Sequence, residues 1–266
     1  MSASSSWTTP IRKPGAMLRR LLGRLLLILA LVPCAGYAQS FQSPAPFSIL
    51  LDSESGAVLY EKAADELMVP ASMAKLATVL VAFQDMAAGR LTPDSEIGIS
   101  ENAWRKGGAP SGGSTMFAIV NSRIKLSDIL QGIIVQSGND AAIALAEAIA
   151  GDEATFGRVM TERVRALGLT KSVFRNATGM PDPQQRVTAR ELALLADHII
   201  KTYPELYKIF GQREFTWNKI RQQNRNPLLA MDIGADGLKT GNIDDSGYGL
   251  VGSAVQGGKR LIVVVN

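Results

Sequence analysis

Apolar positions along this chain follow two periods, and the two periods occupy different stretches. Short apolar runs at residues 47–51 and 57–62 flank Asp52-Ser53-Glu54-Ser55-Gly56, which predicts a β-hairpin. Pro70-Ala71-Ser72 then opens a longer apolar segment, residues 73–86, with helical periodicity. Proline is tolerated in the first helical turn, so Ser72 is placed near that helix's N-terminus. Residues 91–117 carry Gly107, Gly108, Gly112 and Gly113 and predict a loop-rich stretch with short strand-like pieces.

Helical patterns follow at residues 127–136, 141–150 and 152–167. Thr188-Ala189-Arg190-Glu191 reads as a capping box opening another helix, and residues 204–210 predict one more short helix. Beyond that the period becomes two. Strands are predicted at residues 214–219, 236–239, 248–255 and 259–265, the last two joined by Gly257-Gly258. Strands at both ends and helices between them predict an α/β (α+β) fold: a mostly antiparallel sheet built from distant segments, flanked by helices, with an inserted helical lobe.

The first forty residues change the reading of charge. Arg12, Lys13, Arg19, Arg20 and Arg24 precede a short apolar run at residues 25–32, and small residues Gly36 and Ala38 follow. This is the pattern of an export signal cleaved after Ala38; the alternative is an uncleaved anchor. Residues 1–38 hold five of the 28 basic residues and none of the 24 acidic ones, leaving 23 against 24 in residues 39–266. The net charge of +4 therefore belongs to the signal, and nothing suggests nucleic acid as a partner. Cys34, the only cysteine, lies in the signal, so the mature part has no disulfide, thiolate or cysteine-ligated zinc chemistry. His198, the only histidine, sits in a helical pattern and is read as a surface or core residue. No cofactor or metal is expected. The mature chain is expected to be exported, to the periplasm or the outer face of the cytoplasmic membrane.

Three motifs stand in order: Ser72-Met73-Ala74-Lys75, Ser137-Gly138-Asn139 and Lys239-Thr240-Gly241. Ser137 lies 65 residues after Ser72, and Lys239 lies 100 after Asn139. Each is unspecific alone: Ser122-Arg123-Ile124-Lys125 repeats the first spacing and Ser100-Glu101-Asn102 the second. Their order and setting match serine enzymes that acylate through a lysine-activated serine. Ser72 and Lys75, three apart on a helix, share a face. A serine hydroxyl needs a base, and lysine serves only where burial or a neighbouring cation such as Lys239 disfavours its ammonium form. Ser137 and Asn139, between two helices, are placed to relay a proton and hold a substrate amide. Lys239 and Thr240 on a strand would face a substrate carboxylate, with Gly241 permitting close approach. Taken singly, the three motifs also read as a helix-start serine followed by a surface lysine, a helix–helix turn and an edge-strand lysine.

Together with their flanks, Val69-Pro70-Ala71-Ser72-Met73-Ala74-Lys75, Gln136-Ser137-Gly138-Asn139-Asp140-Ala141 and Asp236-Gly237-Leu238-Lys239-Thr240-Gly241, these motifs resemble the low-molecular-mass penicillin-binding proteins, the serine-type D-alanyl-D-alanine carboxypeptidases. Arg221-Gln222-Gln223-Asn224-Arg225-Asn226 and Gly247-Tyr248 add to the likeness. The resemblance runs from about Phe47 to the end. It implies the penicillin-binding-protein/β-lactamase-like fold, with residues 39–266 as the catalytic domain. It implies catalytic Ser72, Lys75 and Ser137, and substrate contacts from Asn139, Lys239, Thr240, Gly241, Asn242 and Arg225. The substrate implied is the D-Ala–D-Ala end of a peptidoglycan stem peptide, and β-lactams would trap Ser72. The backbone N–H groups of Ser72 and Asn242 would form the oxyanion hole. Where the family often has histidine, Asn242 keeps only the backbone donor.

Family members usually continue past the position of Asn266 with the end of the catalytic domain, a second β-rich domain and often an amphipathic anchor. Residues 39–266 alone are therefore expected to turn over weakly and dissolve poorly, and peripheral membrane association is expected only through sequence not present here. Three rivals share parts of this reading. A D,D-endopeptidase would use the same residues. A class A β-lactamase would want a glutamate between the second and third motifs, in a Glu-x-x-Leu-Asn stretch that is not found. A non-catalytic peptidoglycan- or penicillin-binding protein would not need Ser72, Lys75 and Lys239 intact.

Overall fold

The two periods separate in space much as they do along the chain. The computed structural model describes residues 41–266; the predicted signal and Cys34 lie outside the described residues. In chain order the first elements are β1 (Ser48–Asp52), β2 (Val58–Lys62), a 3-10 turn at Ala71–Ala74, α1 (Lys75–Ala87), β3 (Glu96–Gly98), α2 (Glu101–Gly107), β4 (Arg123–Lys125) and α3 (Leu126–Ile134). Next come α4 (Asn139–Ala150), α5 (Glu153–Ala166), α6 (Ala189–Thr202), α7 (Pro204–Tyr207), β5 (Glu214–Trp217) and β6 (Ile220–Gln223). The chain closes with β7 (Ala235–Ile243), β8 (Gly247–Gln256) and β9 (Lys259–Val265).

The main sheet has the order β2-β1-β9-β8-β7, antiparallel throughout. Strands from both ends of the chain meet where β1 pairs with β9, as the sequence pattern predicts. Register explains which face is buried. Ile49 lies opposite Val264, Val264 opposite Val251, and Val251 opposite Lys239. The first three are apolar and at most 1% exposed. Side chains in one cross-strand row share a face, so Lys239 is carried into the interior as the fourth member of a buried apolar row. Helix α6 packs over β1, β8 and β9.

Helix α1 is buried on nearly every side, between α6 and the helical lobe of α3, α4 and α5. Its residues Leu76, Val79, Leu80 and Phe83 are at most 1% exposed. Burying each such side chain contributes about 1.5–3 kcal/mol. That gain holds the helix in place although its first residue is Lys75, whose charged form costs several kcal/mol to desolvate.

Local differences from the predicted elements have physical causes. Ser72 precedes α1 in the 3-10 turn rather than lying in the helix itself. Within residues 91–117 lies a helix, α2, which Ser100 caps by accepting from Ala103 N at 2.9 Å. The predicted strand 214–219 ends early, because Asn218 and Lys219 both take positive φ in a two-residue hairpin turn leading to β6. The capping box at Thr188 is half made. Thr188 Oγ1 accepts from Glu191 N at 3.0 Å, but the Glu191 carboxylate turns to the backbone N–H groups of Lys171 and Ser172. No helix among the described residues is long and apolar enough to cross a membrane.

Candidate active site

The 3-10 turn sets Ser72 against β7 and β8. Small residues let the backbones close up. A Cβ on Gly241 would meet Pro70 O at 3.1 Å and Ser72 N at 3.2 Å, and one on Gly179 would reach Ser72 N at 3.0 Å. Two glycines thus flank the Ser72 N–H, where larger residues would cover it.

Lys75 is fully buried. Its Nζ stands 2.9 Å from Ser72 Oγ, 2.8 Å from Asn139 Oδ1 and 2.6 Å from the Thr178 carbonyl oxygen. The amide oxygen and the carbonyl can only accept. A neutral amine has two N–H bonds and one lone pair, so donating to both leaves the lone pair for the Ser72 hydroxyl. Burial pushes the Lys75 pKa well below the usual lysine value, and Lys239 and then Arg225 add to it; Asp140 and Glu153 oppose the shift. The predicted influence of Lys239 is present but second to burial.

A second serine–lysine pair stands opposite. Lys239 Nζ donates to Ser137 Oγ at 3.0 Å and to the Thr240 carbonyl at 3.0 Å. Burial, then Arg225, lowers the Lys239 pKa to about 7. Ser137 has φ +64, which breaks α3 from α4 and turns its hydroxyl toward β7. Gly138 is tightly enclosed, since a Cβ would stand 2.9 Å from Asp140 Oδ1 and 3.0 Å from Met116 N. Arg225, whose own pKa is lowered by burial, donates to Ser114 Oγ at 2.6 Å.

Ser72 and Ser137 open together on a cavity of about 490 Å³. Arg225, Thr240, Gly241 and Asn242 also line it, as does Tyr248, which lies opposite Asn242 across the β7–β8 pair. Lys75, Asn139 and Lys239 lie behind this surface, each at most 6% exposed. All nine predicted site residues are therefore brought together, three as a buried layer beneath six that line the cavity. The amide oxygen of Asn139 accepts from Lys75 Nζ, and its NH2 group is the part left to meet a substrate.

The decoy motifs disperse. Ser100 caps α2, and Ser122 donates to the Ile119 carbonyl at 2.6 Å in a turn, while Lys125 pairs with Asp94 on the surface. His198 stands on α6 beside Tyr203 and Thr202. No group of three or more histidine, cysteine or acidic residues among the described residues is arranged to hold a metal ion.

Residues 36–266 match the family described as D-alanyl-D-alanine carboxypeptidase. The chain belongs to the D-alanyl-D-alanine carboxypeptidase family. It is 43% identical over 219 residues to the Escherichia coli D-alanyl-D-alanine carboxypeptidase DacC, covering 82% of this chain and 55% of that protein. It is 39% identical to the DacA protein of Haemophilus influenzae, covering 84% of this chain and 57% of that protein. The chain thus spans little more than half the length of these relatives. Penicillin-binding protein 5 of Haemophilus influenzae has a similar structure, with a TM-score of 0.80 and 39% identity over 85% of this chain and 65% of that one. Penicillin-binding protein D2 of Listeria monocytogenes, solved with ampicillin bound, gives 0.73 and 29% over 83% and 88%. The mixed antiparallel fold is therefore that of penicillin-binding proteins.

Within this carboxypeptidase-family site, four contributors escaped sequence reasoning. Thr178 acts through a backbone carbonyl, which no residue type signals. The turn that presents it does have a signature, Asn176-Ala177-Thr178-Gly179. Asn176 Oδ1 accepts from Thr178 N at 3.2 Å and Gly179 N at 2.8 Å. Ser114 lies in the glycine-rich stretch read as loop with short strand-like pieces, where nothing singled it out. Asp140 follows Asn139 directly and is fully buried. Glu153, in the first turn of α5, accepts from Ala177 N at 3.4 Å, and burial raises its pKa.

Proposed function

We propose that this chain is a serine D-alanyl-D-alanine carboxypeptidase that removes the terminal D-alanine of peptidoglycan stem peptides. The observation that carries the reading is the Lys75 amine, whose two acceptor-only partners leave its lone pair for Ser72. The site assignment is ours: Ser72 is the nucleophile, Lys75 its base, Ser137 the relay, and Asn139, Lys239, Thr240, Gly241, Asn242 and Arg225 bind substrate. Ser72 Oγ attacks the carbonyl carbon of the D-Ala–D-Ala amide, and its proton passes to Lys75 Nζ. The oxyanion is held by the N–H groups of Ser72 and Asn242. When the C–N bond breaks, the proton held by Lys75 passes through Ser137, which Lys239 orients, to the leaving amine, and D-alanine departs. Water then cleaves the Ser72 ester and releases the shortened peptide.

Arg225 and Lys239 supply positive charge where the terminal carboxylate would lie. The β7 edge offers backbone pairing to an extended peptide. β-Lactams would acylate Ser72 in the same way. The basic and apolar leader of residues 12–38 supports export and action outside the cytoplasmic membrane. The test is D-alanine release from a pentapeptide ending in D-Ala–D-Ala, run beside the same peptide ending in L-Ala–L-Ala. Release from the first alone is expected. No release from either overturns the reading.

A further inference from the structure

The carboxylate of Asp140 is fully buried, and the partners it makes there are a hydroxyl and backbone N–H groups. Thr115 Oγ1 donates to it at 2.6 Å, Met116 N at 2.9 Å, Ala118 N at 3.0 Å and Ala141 N at 3.0 Å. Three of these donors come from residues 115–118, a stretch with neither helix nor strand in which Phe117 has φ +63. Such a stretch has no ladder of its own, so its geometry is set by what binds it.

The same segment is tied to the other wall of the site. Gln222 Nε2 donates to the Met116 carbonyl at 3.1 Å, and Asn218 Nδ2 donates to the Phe117 carbonyl at 3.2 Å, both from the β5–β6 hairpin. Ser114, at its head, makes two contacts toward the chemistry. Its carbonyl accepts from Asn139 N at 2.7 Å, and its hydroxyl accepts from Arg225 at 2.6 Å. Asn139 Oδ1 in turn accepts a hydrogen bond from Lys75 Nζ at 2.8 Å.

We propose that Asp140 is a positioning residue: by gathering residues 115–118 onto the N-terminus of α4, it places Ser114, and through Ser114 both Asn139 and Arg225, around the Ser72–Lys75 pair. The inference rests on the reading of Ser72 and Lys75 given above. It also has an electrostatic arm. The groups acting on Lys75 are the cations of Lys239 on β7 and Arg225 after β6, and the anions of Asp140 on α4 and Glu153 on α5. Removing the Asp140 charge removes one of the two anions that favour the ammonium form of Lys75.

The test is the rate of acylation by a fluorescent penicillin across pH, in the full chain. In Asp140→Asn the rate at the optimum is expected to fall at least tenfold. The acidic limb of the profile is expected to move to lower pH, because Lys75 loses a neighbouring anion. Loss of structure alone would lower the labelled fraction and leave the limb where it was. Thr115→Val removes one donor and keeps the carboxylate, and is expected to slow acylation several-fold without moving the limb to lower pH. A folded Asp140→Asn protein with the wild-type rate and profile overturns the proposal. If Asp140→Asn does not fold, a wild-type rate in Thr115→Val overturns it. Wild-type protein that takes no label would instead overturn the reading of the site.

Discussion

The Thr178 carbonyl lies 2.6 Å from Lys75 Nζ, and its position depends on the glycine that follows it. Gly179 has φ +83 and packs so closely on the Ala71 carbonyl that no Cβ fits. The turn that holds Lys75 is thereby fitted to the turn that carries Ser72.

Replacing Gly179 by alanine should therefore damage stability and chemistry together. The backbone conformation alone costs about 1–3 kcal/mol for a non-glycine residue, and the clash adds to it. We expect a melting temperature lower by several degrees and acylation slower by at least about a hundredfold, the scale of a misplaced reacting group. Thermal melts and penicillin-labelling rates of Gly179→Ala check both. Unchanged labelling would mean that the Thr178 carbonyl does not set the base.

Lys75→Arg tests the need for a neutral amine. Arginine keeps the charge and much of the length but does not deprotonate. Acylation should fall by at least about two orders of magnitude, the usual scale for losing a general base. Stopped-flow labelling at the pH optimum is the measurement, and a near-wild-type rate would place the base elsewhere.

The two lysines predict a two-limbed pH profile for D-alanine release. With Lys75 as the proposed base, kcat/KM is expected to rise with pH as Lys75 loses its proton, at a pKa well below the usual lysine value. Lys239 loses its proton at about 7 in the free enzyme. Above that, it no longer offers charge to the substrate carboxylate, and kcat/KM falls through a rising KM. Lys239→Met should abolish the alkaline limb. It should also move the acidic limb to higher pH, because Lys75 loses a nearby cation. Wild-type limbs in that variant would contradict the assignment.

The decoy serines provide the controls. Ser122→Ala removes only a turn contact to Ile119 and should leave labelling unchanged. Ser100→Ala removes an N-cap and should cost about 1 kcal/mol in a denaturant melt, with acylation intact. Loss of labelling in either would show that the motif order has been misread.

Much of the candidate site's grouping was legible because its members are side chains in a fixed order along the chain. Ser72, Lys75, Ser137, Asn139 and Lys239 announce themselves by type and spacing. The sheet was legible because period-two segments sit at both ends of the chain. What escaped depends on backbone or on register. Thr178 contributes a carbonyl, Asp140 binds mostly backbone N–H groups, and the Asn218-Lys219 turn takes positive φ without glycine. The burial of Lys239 follows from its row with Val251, Val264 and Ile49, which only strand pairing defines.

Whether Ser72 is the nucleophile is tested most simply by intact-protein mass spectrometry after brief exposure to benzylpenicillin, followed by peptide mapping. A single adduct of one penicillin mass is expected, located on the peptide containing Ser72 and absent in Ser72→Ala. An adduct that persists in Ser72→Ala, or maps to Ser137 or Ser122 in the wild type, would contradict that assignment.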